Sequence, residues 1–457
     1  MRPIDLVVTV LVTAYVATTG IGAALFPFRF GQEQLVEYLY PQPVPLEWMT
    51  TLGSPLYWML LLAMIVVTPA AAYAAERATR RAVPTISRPA IPTWLPIALA
   101  AAMATFCVYK LAEAEALSVH ELWDRTYCFR GRVHRRVELF DLLGMKYYAV
   151  VYSSLPIVGC YLLARGVTQK DRTALYGFAG ISAAVFWFDI ATMMKAPVIL
   201  YIATVGLTLG LSGFGVLRSV LAAVAVALLV YVGLTTAQYC AAETPPWERI
   251  RPSDAGAADT VIAPPARVPE PTDASVSGQP PLAAQQARKP LVSKAFSMVR
   301  AVLLRMAAGF PYYVQIFADP NERCGAHIPP RRLFSHQTCF GPIKVFDKMH
   351  PRLAYTVGFQ PAPVNASAHA EAGPWYAVAA MAASGLVLGI LAAFARGRDP
   401  LSIAMTVAGC VFAYYLTQSS LAGSLLDSYG LAWLISPLLL LITIGAVRGR
   451  LRSAGAG

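Results

Sequence analysis

The sequence predicts an all-helical, polytopic integral membrane protein of about ten spans with one large extramembrane loop domain. Three observations predict it. Hydrophobic residues make up 57% of the 457 residues and charged ones only 14%, where soluble domains average about 25% charged; the mean hydropathy is +0.53. Apolar runs of about 20 residues, the length that crosses a bilayer core, recur along the chain. Basic residues gather in every second short link, as the positive-inside rule requires. A net charge of +12 could signal nucleic acid. Many of the arginines, however, sit between apolar runs, which excludes that partner.

The runs fall at about 5–25, 53–74, 94–112, 147–164, 174–192, 196–212, 217–238, 374–395, 401–419 and 430–447. The first follows directly on Met1-Arg2-Pro3 with no small-residue cleavage site, so it reads as a span and not as a cleaved signal. Arg77, Arg80, Arg81 and Arg88 follow the second run, and Arg165, Lys170 and Arg172 the fourth. Arg218 links the sixth and seventh, Arg396 and Arg398 follow the eighth, and Arg448, Arg450 and Arg452 follow the tenth. An even span count puts all of these on the side of both termini, which the rule makes cytoplasmic. Residues 1–240 then form a membrane domain of seven spans and 374–457 one of three.

Between them lies a loop, 241–373, on the opposite side. Its part 252–290 is rich in Pro, Ala, Ser and Gln with almost no aromatics, a composition that cannot bury enough apolar surface to order itself. Part 291–373 is a basic lobe. Its start, Leu291 to Phe317, has the amphipathic pattern of an interfacial helix lying on the membrane.

The lobe carries the candidate chemistry. From Arg288 to Arg352 there are eleven basic residues against three acidic ones. The planar donor fork of arginine suits phosphate oxygens, and a diphosphate leaving group needs such stabilisation where no metal supplies it. Arg300 and Arg305, on the expected interfacial helix, are the first candidates, followed by Arg331 and Arg332; the plain alternative is a face attracted to anionic headgroups. Cys324 and Cys339 flank a loop of about 15 residues that a disulfide would stabilise by roughly 3 kcal/mol, although Cys128 and Cys240 are also placed to pair. Glu371 and His369 precede the eighth span. Either could take a proton from an attacking hydroxyl, and a carboxylate at a helix start also simply favours the dipole. Asp189 and Lys195 meet at the junction of the fifth and sixth spans. Ionisable residues there are functional candidates; the plain alternative is that they pair with each other or snorkel to the outer interface. His120 and His134, with Glu121, Asp124 and Glu138, give no metal spacing, so no metal and no other cofactor is expected.

Three stretches resemble the Wzy-type O-antigen polymerases, the oligosaccharide repeat-unit polymerases of bacterial envelopes. Met193-Met-Lys-Ala-Pro-Val198 opens a span where that family has a basic residue, a small residue and proline. Arg300 and Arg305 precede the aromatic stretch Phe310-Pro-Tyr-Tyr313. Asn365 to Gly373, with Glu371-Ala-Gly373 entering a helix that contains Gly385 and Gly389, is similar to the family's Asn, acidic residue and Gly before a late span. The Pro-rich segment makes this loop longer than the family's, and Gly373-Pro-Trp stands where an aromatic-glycine pair is common. The resemblance implies a metal-independent, lipid-diphosphate-dependent glycosyltransferase in the bacterial inner membrane. Its donor and acceptor would be polyprenyl-diphosphate-linked glycans. Arg300, Arg305, Arg331, Arg332 and Lys195 would bind the diphosphate, Glu371 or His369 would activate the hydroxyl, and Asn365 would orient the substrate. Expected partners are membrane lipids, a chain-length regulator and a flippase. An O-antigen ligase and a lipid or polysaccharide transporter are the competing readings.

Overall fold

A computed structural model describes residues 2–39, 48–82, 91–117, 129–192, 194–237, 304, 306–325, 341–349, 360–427 and 429–454. The expected segment 252–290, and Arg300, Arg305, Arg331, Arg332 and Cys339, lie outside the described residues.

All regular structure among the described residues is helical, and nine helices there are long and apolar enough to cross a membrane. In chain order, α1 is Pro3–Leu25, with a π turn at Val16–Gly20; α2 is Arg29–Leu39, α3 Trp48–Leu52, α4 Pro55–Ala82 and α5 Trp94–Glu113. Helix α6 runs from Phe129–Ala149 through a π turn, Val150–Ser154, into Leu155–Thr168. It bends at Gly144, whose φ of 71° suits only a residue without Cβ. Then come α7 (Arg172–Ala191), α8 (Ala196–Phe214) and α9 (Val216–Ala237). Helix α10 spans 306–316, and α11 is Gly341–Met349, α12 Val364–Ala372, α13 Pro374–Phe394, α14 Pro400–Tyr415, α15 Leu421–Leu426 and α16 Leu431–Ala454.

These helices track the apolar runs; α4, α6 and α16 run longer than expected, and one is shorter. The expected span 401–419 is a 16-residue helix, α14, that stops at Tyr415 and continues as turns. Helix α14 is buried along most of its length, so protein rather than lipid surrounds it.

The closest helix pair is α4 with α13. Gly385 and Gly389 stand one turn apart, and a Cβ on either would fall 2.3 Å from the Thr68 carbonyl oxygen or 2.2 Å from that of Ala72. Two small residues at i and i+4 let backbones meet where no hydrophobic effect drives helices together. Pro374, at the first turn of α13, needs no intrahelical donor.

Helix α10 departs from the expected interfacial position. Residues 306–314 are all buried, and Met306, Ala307, Ala308, Phe310, Tyr312, Tyr313 and Val314 belong to the main core. The small run Ala307-Ala308-Gly309 explains it: one side of the helix has no bulk, so its neighbours close in. A Cβ at Gly309 would meet Gln360 Nε2 at 2.6 Å. On another side the Phe310 ring packs edge-on against Tyr57 of α4, 5.3 Å between centroids.

Candidate functional site

Helix α12 is nine residues long, and every residue from Val364 to Ala370 is buried. A helix this short is not stable on its own; tertiary contacts hold it at both ends. At its start the Val364 N–H donates to the Leu416 carbonyl beyond α14, at 2.9 Å. One residue on, the Asn365 amide nitrogen donates to the Leu60 carbonyl of α4 (2.8 Å) and to the Tyr15 hydroxyl of α1 (2.9 Å). Tyr15 in turn donates to the Leu61 carbonyl at 3.0 Å. Asn365 thus ties α12 to two spans, a positioning role where the sequence suggested substrate orientation. Its Oδ1 is buried without a hydrogen-bond partner.

One turn further, His369 is fully buried. Neither ring nitrogen completes a hydrogen bond, although the Val314 backbone lies close enough to favour the charged ring slightly. Burial dominates, and the Arg323 guanidinium adds to it, so the imidazole is pushed down to about 4 and is neutral at physiological pH. Closed off in this way, His369 does not reach a substrate in this conformation.

Glu371 is different. It is half-buried, and Ala372 and Trp375 beside it are exposed. The Tyr376 hydroxyl, from the first turns of α13, donates to its carboxylate. Between α12 and α13 the chain turns at Gly373, with φ of 94° and ψ of −173°. The Arg323 guanidinium fills the place of a side chain there: a Cβ on Gly373 would lie 2.7 Å from its Nη1. Arg323 is held by its own neighbours, donating from Nε to the Phe317 carbonyl at 3.2 Å and from Nη2 to the Ala318 carbonyl at 3.4 Å. The next residue, Cys324, donates its N–H to the Ala370 carbonyl at 2.9 Å. Lys344 of α11 pairs with Glu322 and lies over the Phe317 ring, 5.6 Å from its centroid.

The joint between α12 and α13 therefore gathers one accessible carboxylate, one tyrosine hydroxyl and one well-held guanidinium. The sequence singles out Glu371, whereas Arg323 is one of the basic residues of the lobe. The signal that could have singled it out is Gly373 itself, since a glycine two residues after the acid leaves room for another chain segment. Lys195, named for the same task, caps the start of α8, and its ammonium sits 5.8 Å from the Tyr231 ring centroid on α9. Cys324 is disulfide-bonded while Cys107, Cys160 and Cys410 are free. Its partner is thus one of Cys128, Cys240 and Cys339, all outside the described residues.

A second polar group is buried deeper. Asp189, near the end of α7, is 1% exposed, and neither of its carboxylate oxygens has a hydrogen-bond partner. It is not paired with Lys195 as the sequence allowed. Among the described residues, no three His, Cys, Asp or Glu side chains gather as a metal site would need.

The chain matches no family model, and no curated protein and no solved structure matches it either.

Proposed function

We propose that this protein is a membrane glycosyltransferase that polymerises polyprenyl-diphosphate-linked oligosaccharide repeat units at the non-cytoplasmic face of a bacterial inner membrane, with both termini cytoplasmic. The observation that carries this reading is the α12–α13 joint, where the half-buried Glu371 stands two residues before Gly373 and the guanidinium of Arg323, 48 positions from Glu371 in sequence, packs against that glycine. A sugar transfer from a diphosphate needs these two chemistries, a base for the acceptor and a cation for the leaving group.

In this reading Glu371 takes the proton of an acceptor hydroxyl. The hydroxyl oxygen bonds to the anomeric carbon of the growing chain, and the bond from that carbon to the diphosphate breaks. Polyprenyl diphosphate leaves, its charge met by Arg323 and by Arg300, Arg305, Arg331 and Arg332 of the basic lobe. Tyr376 holds the Glu371 carboxylate, and Asn365 holds α12 in place. The Cys324 disulfide supports a lobe in an oxidising compartment.

The experiment is deletion of the gene, complementation with wild type, Glu371→Gln and Arg323→Gln, and separation of envelope glycans by length. Loss of long glycan, with a single repeat unit remaining, is the expected result for the deletion and both variants. Accumulation of long lipid-linked polymer with no attached glycan would instead identify a ligase. An unchanged glycan profile would remove the proposal. The transporter reading is favoured by one observation, the buried carboxylate of Asp189, since such groups mark ion pathways in membranes; accumulation of repeat units on the cytoplasmic side would support it.

A further inference from the structure

We propose that Asp189 is a proton-binding site inside the membrane domain, a carboxylic acid that exchanges its proton with water in the cavity beside it. This goes beyond the glycosyltransferase reading and does not rest on it.

The argument starts from the carboxyl group. An ionised aspartate offers two oxygens that only accept hydrogen bonds. Both oxygens of Asp189 are buried, and neither has a donor. A buried charge without partners is costly enough that such a group takes up a proton and becomes neutral. The side chain borders a cavity of about 20 Å³, room for about one water molecule. The cavity lies between α6, α7, α8 and α14, and α16 closes it through Leu434.

A metal cation fits poorly. Hard cations collect six or more oxygens. The lining offers side-chain oxygens only from Asp189, Tyr152, Tyr201 and Thr204. Two of those are engaged: the Tyr201 hydroxyl with Ser182 Oγ at 2.8 Å, and Thr204 Oγ1 with the Tyr201 carbonyl at 2.7 Å. A proton needs no such shell.

The surrounding groups also fit. The titratable side chains near enough to feel the Asp189 charge are Tyr147 and Tyr152 of α6, Tyr201 of α8, Tyr415 of α14 and Tyr429 before α16. Of these, Tyr152 and Tyr201 line the cavity, with Cys160 of α6, and no lysine, arginine or histidine is among the described lining residues. Beyond the cavity, the Tyr152 hydroxyl is buried without a hydrogen-bond partner. Its ring stacks on that of the half-buried Tyr429 at 4.8 Å. The π turn Val150–Ser154 carries Tyr152, and π turns inside helices are frequent at functional sites. On release, the O–H bond of the acid breaks and the proton passes to the cavity water.

Infrared difference spectroscopy on the full chain in lipid nanodiscs at about pH 7 tests this. Wild type minus Asp189→Asn is expected to show the carbonyl stretch of a protonated carboxylic acid, moving down in D2O. A difference that contains only carboxylate bands would overturn the proposal. If the Asn variant does not fold, wild type is compared with Asp189→Glu, where the acid band should shift in frequency; its absence from both spectra would again overturn it. The thermal midpoint is then read in sodium chloride and in choline chloride. Equal values, within about 2 °C, are expected; a rise specific to sodium that Asp189→Asn abolishes would assign the site to a metal cation instead.

Discussion

The two ends of the helical bundle treat their most enclosed carboxylates differently. At the end that carries the first residues of α1, the carboxylates have partners. Arg2 donates to Asp5 at 2.8 Å, and the Tyr73 hydroxyl to Asp5 at 3.2 Å. Glu76 of α4 faces Arg396 after α13 at 3.8 Å. Asp171 takes bonds from the Thr93 hydroxyl (2.7 Å), the Ala174 N–H (3.1 Å) and Arg165 Nε (3.0 Å), while Arg165 also reaches the Ile91 carbonyl. At the other end, Asn365 and His369 are buried with polar atoms unsatisfied, Asp189 has no donor, and Glu371 is half-buried. Polar groups that hold a fold together are satisfied inside it. The Asp189 carboxylate has no such partner inside the fold.

The largest expected effect comes from the end that carries Glu371. Glu371→Gln should lower the rate of glycan polymerisation by about 10²–10⁴, the range for a lost general base, with thermal unfolding unchanged. Full activity in a membrane assay with lipid-linked repeat units would break the comparison at its centre.

His369 comes next, through pH. Its folded value of about 4 lies below the unfolded value of about 6.5. The unfolded chain therefore binds the extra proton between those limits, and stability rises with pH across that window and is level above it. The loss on going from about pH 7 to about pH 4 is of order 3 kcal/mol. Unfolding measured across that range should show the slope, and His369→Asn should flatten it; an unaltered slope would assign it to other groups.

Asn365→Ala removes both donations that tie α12 to α1 and α4, and should cost about 1–3 kcal/mol, since the Leu60 carbonyl and the Tyr15 hydroxyl lose a donor inside the protein. Activity should fall with it, because α12 carries Glu371. A variant that melts like wild type would show that the anchor lies elsewhere.

At the paired end, Asp171→Asn should cost about 1–2 kcal/mol and leave activity intact at permissive temperature. The Thr93 hydroxyl above all, then the Ala174 N–H and Arg165, hold the Asp171 carboxyl below its usual range. Its contribution is thus complete above about pH 4 and is lost only as pH falls through that depressed value. The smallest effect belongs to Arg2→Ala. Its side chain is 61% exposed, so the change should stay within about 0.5 kcal/mol. A larger loss there, or any loss of activity in Asp171→Asn, would blur the difference between the ends.

Much of the bundle was legible in the sequence, because a span is a local property: about 20 apolar residues declare themselves whatever their neighbours. The boundaries of α1, α5, α7, α8 and α13 lie within a few residues of the apolar runs. Helix α6 begins well before the expected 147, since its polar first half has no hydropathy signal. Helix α10 looked interfacial because periodicity reports one apolar face and says nothing of what covers the other. The candidate site was half legible: Glu371 stood out as an acid at a helix entry, while Arg323 was one basic residue among eleven.

The sequence by itself determined that this is a helical membrane protein, where its spans run and which links are basic, since each of these follows from composition over a short window. Only the tertiary structure decided that Arg323 fills the space at Gly373, that Asn365 and His369 are enclosed, that Lys195 turns to Tyr231 and that Asp189 has no donor. Burial and pairing depend on which distant segments meet, and the close approach of α13 to α4 at Gly385 and Gly389 is one such meeting that no window of sequence contains.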